Sequence, residues 1–317
     1  MGDLTTRPVT ADDAVAVQRL LVALEAADRT EEHYSVEDVL EELANPMTGP
    51  QDWLLVEREG EPVATSRLLP RAPAGYELLV SIDGGVHPDH RRQGIGGRLF
   101  PLLVRRAEDH VAERGSFEPV LSATAPSDQP GFGALVGASG FVPDRYEFLM
   151  RADLAVEPAA PVLPPGYTVS TWEGVDPEEL RAAHNVAFVG HPAWSPWSAP
   201  MWAQWVSGSR SHRPDLSVLV RDASGEVAAY LQTNEWDAVA ERTGRRETYV
   251  AKVGTLPGHR RRGLAAAMLL TALRRHRADG VATVGLDVDS QNPTGALGVY
   301  EAVGFEVRRR WTTYRRP

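Results

Sequence analysis

The chain has 317 residues, 43% of them hydrophobic and 24% charged, the balance of a soluble globular protein long enough for two domains. Its net charge of −10 argues against nucleic-acid binding by the surface as a whole, though not against local basic clefts. Cysteine is absent, which excludes disulfides, a thiolate nucleophile and Cys-ligated metal, and no metal is expected.

The start Met1-Gly2-Asp3-Leu4-Thr5-Thr6-Arg7 has no apolar run after a basic segment. No stretch approaches the ~18 apolar residues of a membrane span. A cytoplasmic location with neither membrane nor nucleic-acid partners is therefore the expectation.

Leu4 to Val9 alternates as a first strand, and Thr10-Ala11-Asp12-Asp13 opens a helix whose apolar face carries Val15, Leu20, Leu21 and Leu24. Ser35-Val36-Glu37-Asp38 resembles a capping box for a second helix. Trp53–Glu57 and Pro62–Leu69 flank a hairpin turn at Gly60. A strand over Leu78–Val86 leads into His87-Pro88-Asp89-His90-Arg91-Arg92-Gln93-Gly94-Ile95-Gly96, and a helix leads out to about Glu113. Phe117–Ser122 is a strand, Pro130–Ser139 a short helix, and Gly140-Phe141 opens the last strands of this half, ending near Leu154.

Ala155 to Gly166 is rich in proline and reads as a semi-rigid linker. The expected domains are residues 1–160 and 161–317.

The second half repeats the order. A strand covers Tyr167–Thr171, and a helix runs from about Asp176 past His184. Next comes a segment holding Trp194, Trp197, Trp202 and Trp205. Leu216–Arg221 and Val227–Gln232 flank a turn at Ser224-Gly225. Thr248–Thr255 is a strand, Gly263 to about Arg277 a helix, Val281–Val288 a strand and Thr294–Val303 a short helix, and Gly304-Phe305 opens the terminal strands through Tyr314. Each half is thus an α/β (α+β) domain with a mixed, mostly antiparallel sheet flanked by helices.

The strand–loop–helix unit suits a phosphate site. The first N–H groups of a helix lack internal partners, and the helix dipole is positive there. Glycine lets a pyrophosphate approach the backbone, and arginine adds charge-assisted contacts. A basic turn before a helix is ordinarily just solvated. Here the unit occurs twice, with Arg260 following Arg91 by 260 − 91 = 169 residues, which is the mark of a duplicated domain.

The units Arg91-Arg92-Gln93-Gly94-Ile95-Gly96 and Arg260-Arg261-Arg262-Gly263-Leu264-Ala265 resemble the acetyl-CoA signature of GCN5-related N-acetyltransferases, the GNAT family. The run from Leu286 to Phe305 resembles the family's second signature, an Asn (Asn292) and then a Tyr (Tyr300) just before Gly304-Phe305. The resemblance covers both halves. Its tandem layout is similar to that of mycothiol synthases, which acetylate a cysteinyl amino sugar, and of some aminoglycoside acetyltransferases.

This resemblance implies an N-acetyltransferase with acetyl-CoA as cosubstrate and a small-molecule amine as acceptor, acting as monomer or homodimer. It implies a bulged central strand splayed from its neighbour, with the pantetheine arm in the gap. Backbone groups of Val253 and Thr255, and of Val86 in the first half, would hold pantetheine. Residues 260–265 and 91–96 would hold pyrophosphate, and Asn292 would touch the cofactor. Tyr300 would be the general acid toward the leaving thiolate as the amine attacks directly. Asn292 stands 300 − 292 = 8 residues before Tyr300, where the family commonly has seven.

The halves differ at this second signature. Val136 stands four residues before Gly140, where Tyr300 stands four before Gly304, and Asp128 takes the place of Asn292. The C-terminal domain is therefore expected to be catalytic and the N-terminal one degenerate. Asp287 is a candidate general base, beside Glu235, Asp237, Glu247, Asp289 or a water relay. His184 reads as structural. Lys252, the single lysine, either orients an anionic acceptor or is merely exposed. The tryptophans either pack a core or wall an aromatic acceptor pocket. A non-catalytic acyl-CoA sensor is the alternative; it would keep both loops without needing Tyr300.

Overall fold

The computed structural model describes residues 3–71, 73, 76–189, 195–290 and 295–316. In chain order it contains β1 (Leu4–Pro8), α1 (Ala14–Asp28), α2 (Val36–Leu43), β2 (Trp53–Arg58), β3 (Glu61–Pro70), β4 (Glu77–Val86), α3 (Ile95–Ala112), β5 (Glu118–Pro126), α4 (Pro130–Gly137) and β6 (Val142–Asp153). There follow β7 (Thr168–Ser170), α5 (Pro177–Ala187), α6 (Ala199–Trp202), β8 (Val218–Arg221), β9 (Val227–Glu235), α7 (Asp237–Thr243), β10 (Glu247–Thr255), α8 (Leu264–Ala278), β11 (Thr283–Asp289), α9 (Ala296–Ala302) and β12 (Glu306–Arg316). None of the described helices is long and apolar enough to cross a membrane.

Local chemistry accounts for the element ends. Ser35 and Asp38 form the expected capping box, and Thr10 and Asp13 form another. Gly94 and Gly263 sit at the N-caps of α3 and α8 with φ of 79° and 80°, a left-handed conformation natural to glycine. α7 was not anticipated; it is short, starts at Asp237 and stops at Gly244 in the left-handed region. The paired terminal strands expected in each half are single long strands, β6 and β12.

The chain divides into two compact units, Met1–Tyr146 with Trp311–Pro317, and Glu147–Arg310. This differs from a division at residue 160. In the first unit the strands run β1-β2-β3-β4-β5 and then the end of β12, whose Trp311–Arg316 pairs antiparallel with Pro126–Leu121. In the second unit Glu147–Asp153 of β6 lies beside β11, followed by β10, β9, β8 and β7. β4–β5 and β10–β11 pair parallel and the other described neighbours within each unit antiparallel.

Each unit thus closes its sheet with a segment from the opposite half of the sequence. The reason lies in side chains. Thr313 and Thr312 meet the hydroxyls of Thr124 and Ser127, Tyr314 packs on Phe132, and Arg316 pairs with Glu108. A linker rich in proline signals a break in helix and strand, but it does not say which sheet the flanking strands join.

The cores follow the periodicities. In α3, Ile95, Leu99, Leu103, Ala107 and Val111 form a stripe at i, i+4 against Val80 and Ile82. In α8, Leu264, Met268 and Ala272 do the same against Val284, Leu286 and Val288.

Candidate active site

In the second unit β10 and β11 pair only at Glu247–Thr283, Thr248–Val284 and Tyr249–Gly285. From Val250 to Thr255 the two strands part. Against β9 the register of β10 shifts between Val250 and Lys252, a β-bulge centred on Ala251. The expected bulge and splay are both present. In the first unit β4 stays paired with β5 through Ile82, and its register with β3 runs without a shift. The gap there is shorter, Asp83 to Val86 only.

Leu256 N–H bonds to Ala228 of β9, and strand backbone groups alternate between the two sides. Val253 and Thr255 therefore turn their N–H and C=O toward the gap, where pantetheine is expected. By the same reasoning Val86 faces the gap of the first unit, because His87 N–H bonds to Val63.

The loops at the ends of the two gaps are alike. Arg92 and Arg261 are non-glycine residues held at φ of 60° and 64°. With the glycine N-caps they curl the backbone into a nest that points N–H groups outward. A Cβ at Gly94 or Gly263 would meet nothing within 4 Å, so the space above each loop is open. Leu264 and Ile95 send their side chains into the cores, so only their backbone groups are available to a cofactor.

The arginines divide by task. Arg260 donates to the carbonyls of Thr255 and Ala187, and Arg91 to Val86 O and to Asp28. The first arginine of each motif thus anchors the loop rather than reaching over it. Arg262 donates to Tyr167 Oη, which meets His259 Nδ1. Arg261 is exposed. Gln93 accepts from Arg58, while Arg92 lies close over Gly131 of α4. Gly96 faces Leu135 and Val86.

Tyr300 lies on α9, its ring edge-on to Phe305 at 6.1 Å and packed, like Val253, against the α8 core. Burial pushes its phenol up to about 12, so it is fully protonated at neutral pH. Its backbone counterpart Val136 is completely buried in the first unit. Asn292 lies outside the described residues.

The bulge changes which face each β10 residue occupies. Val250 and Val253 both pack against α8, although a regular strand would turn residues three apart to opposite faces. Lys252 and Gly254 consequently share the other face with Tyr249. Lys252 Nζ stands 4.3 Å from the centroid of the Trp197 ring. A Cβ at Gly254 would come within 2.3 Å of the Tyr230 ring, so only glycine fits there. Tyr230 Oη bonds to His184 Nδ1 at 2.7 Å, and Phe188, Trp197 and Trp202 surround that imidazole. Burial, helped by the charge of Lys252, lowers His184 to about 3, so it stays neutral. His184 is buried among these rings and Trp202 is core; Trp197 and Trp205 are only half-buried and bound the face near Lys252.

Among the carboxylates, Asp287 accepts a hydrogen bond from Tyr249 Oη. Glu235 is held by Arg213 and Arg246, and Glu247 by Arg151. Those ion pairs commit both to the scaffold. The role of Tyr249 in holding Asp287 was not anticipated; the signal available was its position directly opposite Gly285 on a parallel partner, which leaves room for a ring.

The first unit fills the equivalent face. Arg67 lies opposite Asp83 in register, as Gln232 lies opposite Lys252. Arg67 bonds Asp83, pairs with Glu42 and is sandwiched by Trp53 at 5.1 Å and Tyr34 at 5.8 Å.

Residues 19–131 and 178–305 each match the model of the acetyltransferase (GNAT) family. This chain belongs to the GNAT acetyltransferase family. The GNAT chain is 30% identical over 278 residues to a mycothiol acetyltransferase of Segniliparus rotundus, covering 82% of this chain and 98% of that one. It is 28% identical over 331 residues to a mycothiol acetyltransferase of Clavibacter michiganensis, covering 98% and 97%. A GCN5-related N-acetyltransferase from Sphaerobacter thermophilus superposes with a TM-score of 0.74 at 27% identity, over 99% of this chain and 96% of that one. A tandem GNAT protein of the clavulanic acid pathway shares the fold, with a TM-score of 0.68 at 21% identity over 99% and 98%. Two GNAT folds in tandem are therefore the architecture of this enzyme.

Proposed function

We propose that the second unit transfers the acetyl group of acetyl-CoA to the primary amine of a small molecule, by direct attack on the thioester. The observation that carries this reading is the β10–β11 gap, which opens at the Ala251 bulge and ends at the open nest of Arg261–Gly263. Val253 and Thr255 would hold the pantetheine amides. The N–H groups from Arg261 to Ala265 would hold the pyrophosphate, with Arg261 and Arg262 adding charge and Arg260 bracing the loop.

Tyr300 would place its hydroxyl against the leaving sulfur. A phenol near 12 is a weaker acid than a thiol of reference value ~8.5. Its contribution is then a hydrogen bond that stabilises the departing thiolate, with the proton settling as product leaves. One such donor to a developing negative charge is worth about 10²–10³ in rate. Asp287, oriented by Tyr249, would take the proton of the incoming amine, directly or through water. The first unit would be non-catalytic, because Val136 offers no proton and the Arg67 cluster occupies its acceptor face.

Calorimetry with acetyl-CoA, followed by thiol-release assays on a panel of amines, tests the reading. The relatives named mycothiol acetyltransferase make the cysteinyl amino sugar precursor of mycothiol the first acceptor to try. Micromolar cofactor binding and turnover of at least one amine are expected. Binding without turnover of any amine would favour an acyl-CoA sensor, and no binding at millimolar cofactor would remove both readings.

A further inference from the structure

Lys252 is the only lysine of the chain, and it stands on the strand expected to present the thioester. The Ala251 bulge turns its side chain to the face formed by β9, α5 and the Trp197–Trp205 segment, where the ammonium lies over the Trp197 ring. Cation–π contact holds a cation in place there, partly out of water. Among the described residues, titratable groups of this face include His184 from α5, His212 from the loop before β8 with Asp215 near it, Tyr230 from β9, and Tyr249 with its bound Asp287. Burial keeps both histidines neutral, at about 3 and about 4. Lys252 thus brings a positive charge to this face. Buried polar atoms also lack partners there among the described residues: Gln232 Oε1, directly opposite Lys252 in register, and Trp202 Nε1.

Resting on the acetyltransfer reading above, the geometry points to Lys252 as a specificity-determining residue that sets the charge of the acceptor: the enzyme takes monoamines whose remainder is anionic or hydroxylated, and rejects amines that carry a second ammonium. An acceptor reaching the thioester from this face passes the Lys252 charge. A carboxylate or hydroxyl on the acceptor answers that charge. A second ammonium meets a like charge where solvent screening is reduced. One tenfold step in affinity corresponds to ~1.4 kcal/mol, within reach of one like-charge contact.

The test uses three acceptors with one five-carbon skeleton: 5-aminovalerate, 5-aminopentanol and 1,5-diaminopentane. Turnover is followed by thiol release and binding by tryptophan fluorescence, on the full chain with acetyl-CoA present. The wild type is expected to prefer 5-aminovalerate and 5-aminopentanol over the diamine by about tenfold or more in kcat/KM or in Kd. Lys252→Gln is expected to erase that preference, and Lys252→Glu to reverse it, with acetyl-CoA affinity by calorimetry within about threefold of wild type in both, a change under 1 kcal/mol.

Equal use of the three acceptors by the wild type, a preference that survives in Lys252→Gln, or no response to any of the three at 50 mM (a concentration on the order of the weakest specific contacts) would each overturn the assignment. Failure of the wild type to bind acetyl-CoA would instead sink the acetyltransfer reading, which separates the two.

Discussion

Tyr300 and Val136 hold the same backbone position in their respective units. The carbonyl of Tyr300 accepts the amide of Phe305 at 3.0 Å, and the carbonyl of Val136 accepts that of Phe141 at 3.2 Å. The turn into the following strand is preserved in both, and only the side chain differs. Replacing Tyr300 by Phe keeps the ring beside Phe305 and deletes the hydroxyl alone. The expected loss is about 10²-fold in kcat, with the KM for acetyl-CoA little changed. Steady-state kinetics with Tyr300→Phe, beside a melting curve within a degree or two of wild type, would establish it; wild-type kcat would rule out the role.

Val136→Tyr is expected to confer no activity on the first unit. Val136 is fully buried, so a phenol there overpacks the core at a cost of about 1–3 kcal/mol. Arg67 still occupies the face equivalent to that of Lys252. A lowered denaturation midpoint with unchanged specific activity is the predicted pair of results. Acetylation by a Tyr300→Phe, Val136→Tyr double variant would contradict it.

The two glycine N-caps offer a way to test which loop serves turnover. Both have positive φ and open space above them, so Gly→Val adds strain of about 1–3 kcal/mol and a side chain where the pyrophosphate is expected. Gly263→Val should raise the KM for acetyl-CoA by about tenfold or more, the equivalent of ~1.4 kcal/mol. Gly94→Val should leave kcat/KM close to wild type while costing similar stability. Equal kinetic damage from both would mean that the first loop also serves turnover.

A fragment ending at residue 160 lacks Trp311–Arg316, the strand beside β5 in the first unit. It exposes the β5 edge and loses Tyr314 from the Phe132 contact. We expect it to aggregate or melt well below the full chain. Adding a peptide covering Thr312–Arg316 should recover structure by circular dichroism. A cooperative, monomeric 1–160 fragment would refute this.

Stability should fall as the pH drops from about 6.5 toward 5, before most carboxylates titrate. Burial holds His184 at about 3, and His276 and His212 at about 4, below the ordinary value of 6.5. The unfolded chain takes up protons in this window and the folded chain does not, so unfolding gains. The sign is that of a depressed histidine: full stability above 6.5, progressive loss below. Urea midpoints at pH 7.5, 6.5 and 5.5 would show the trend, and a flat series would exclude it.

The duplication, the two arginine–glycine loops, their helices and the Tyr300–Val136 asymmetry were legible in the sequence. These features are local. A glycine at a left-handed N-cap, a capping box at Ser35–Asp38 and a stripe from Ile95 to Val111 each express the conformational needs of a few neighbouring residues. Tertiary structure alone decided the rest. It set the Ala251 bulge, which inverts the parity of β10 and brings Lys252 onto Trp197. It bound Arg260 to Ala187, 73 residues away, and Tyr249 to Asp287, 38 away. It withdrew Glu235 and Glu247 into ion pairs, and it placed the ends of β6 and β12 in sheets opposite to their halves of the chain. Register and partner choice are settled by competition among distant side chains for the same space and the same hydrogen bonds. No short run of residues contains that competition.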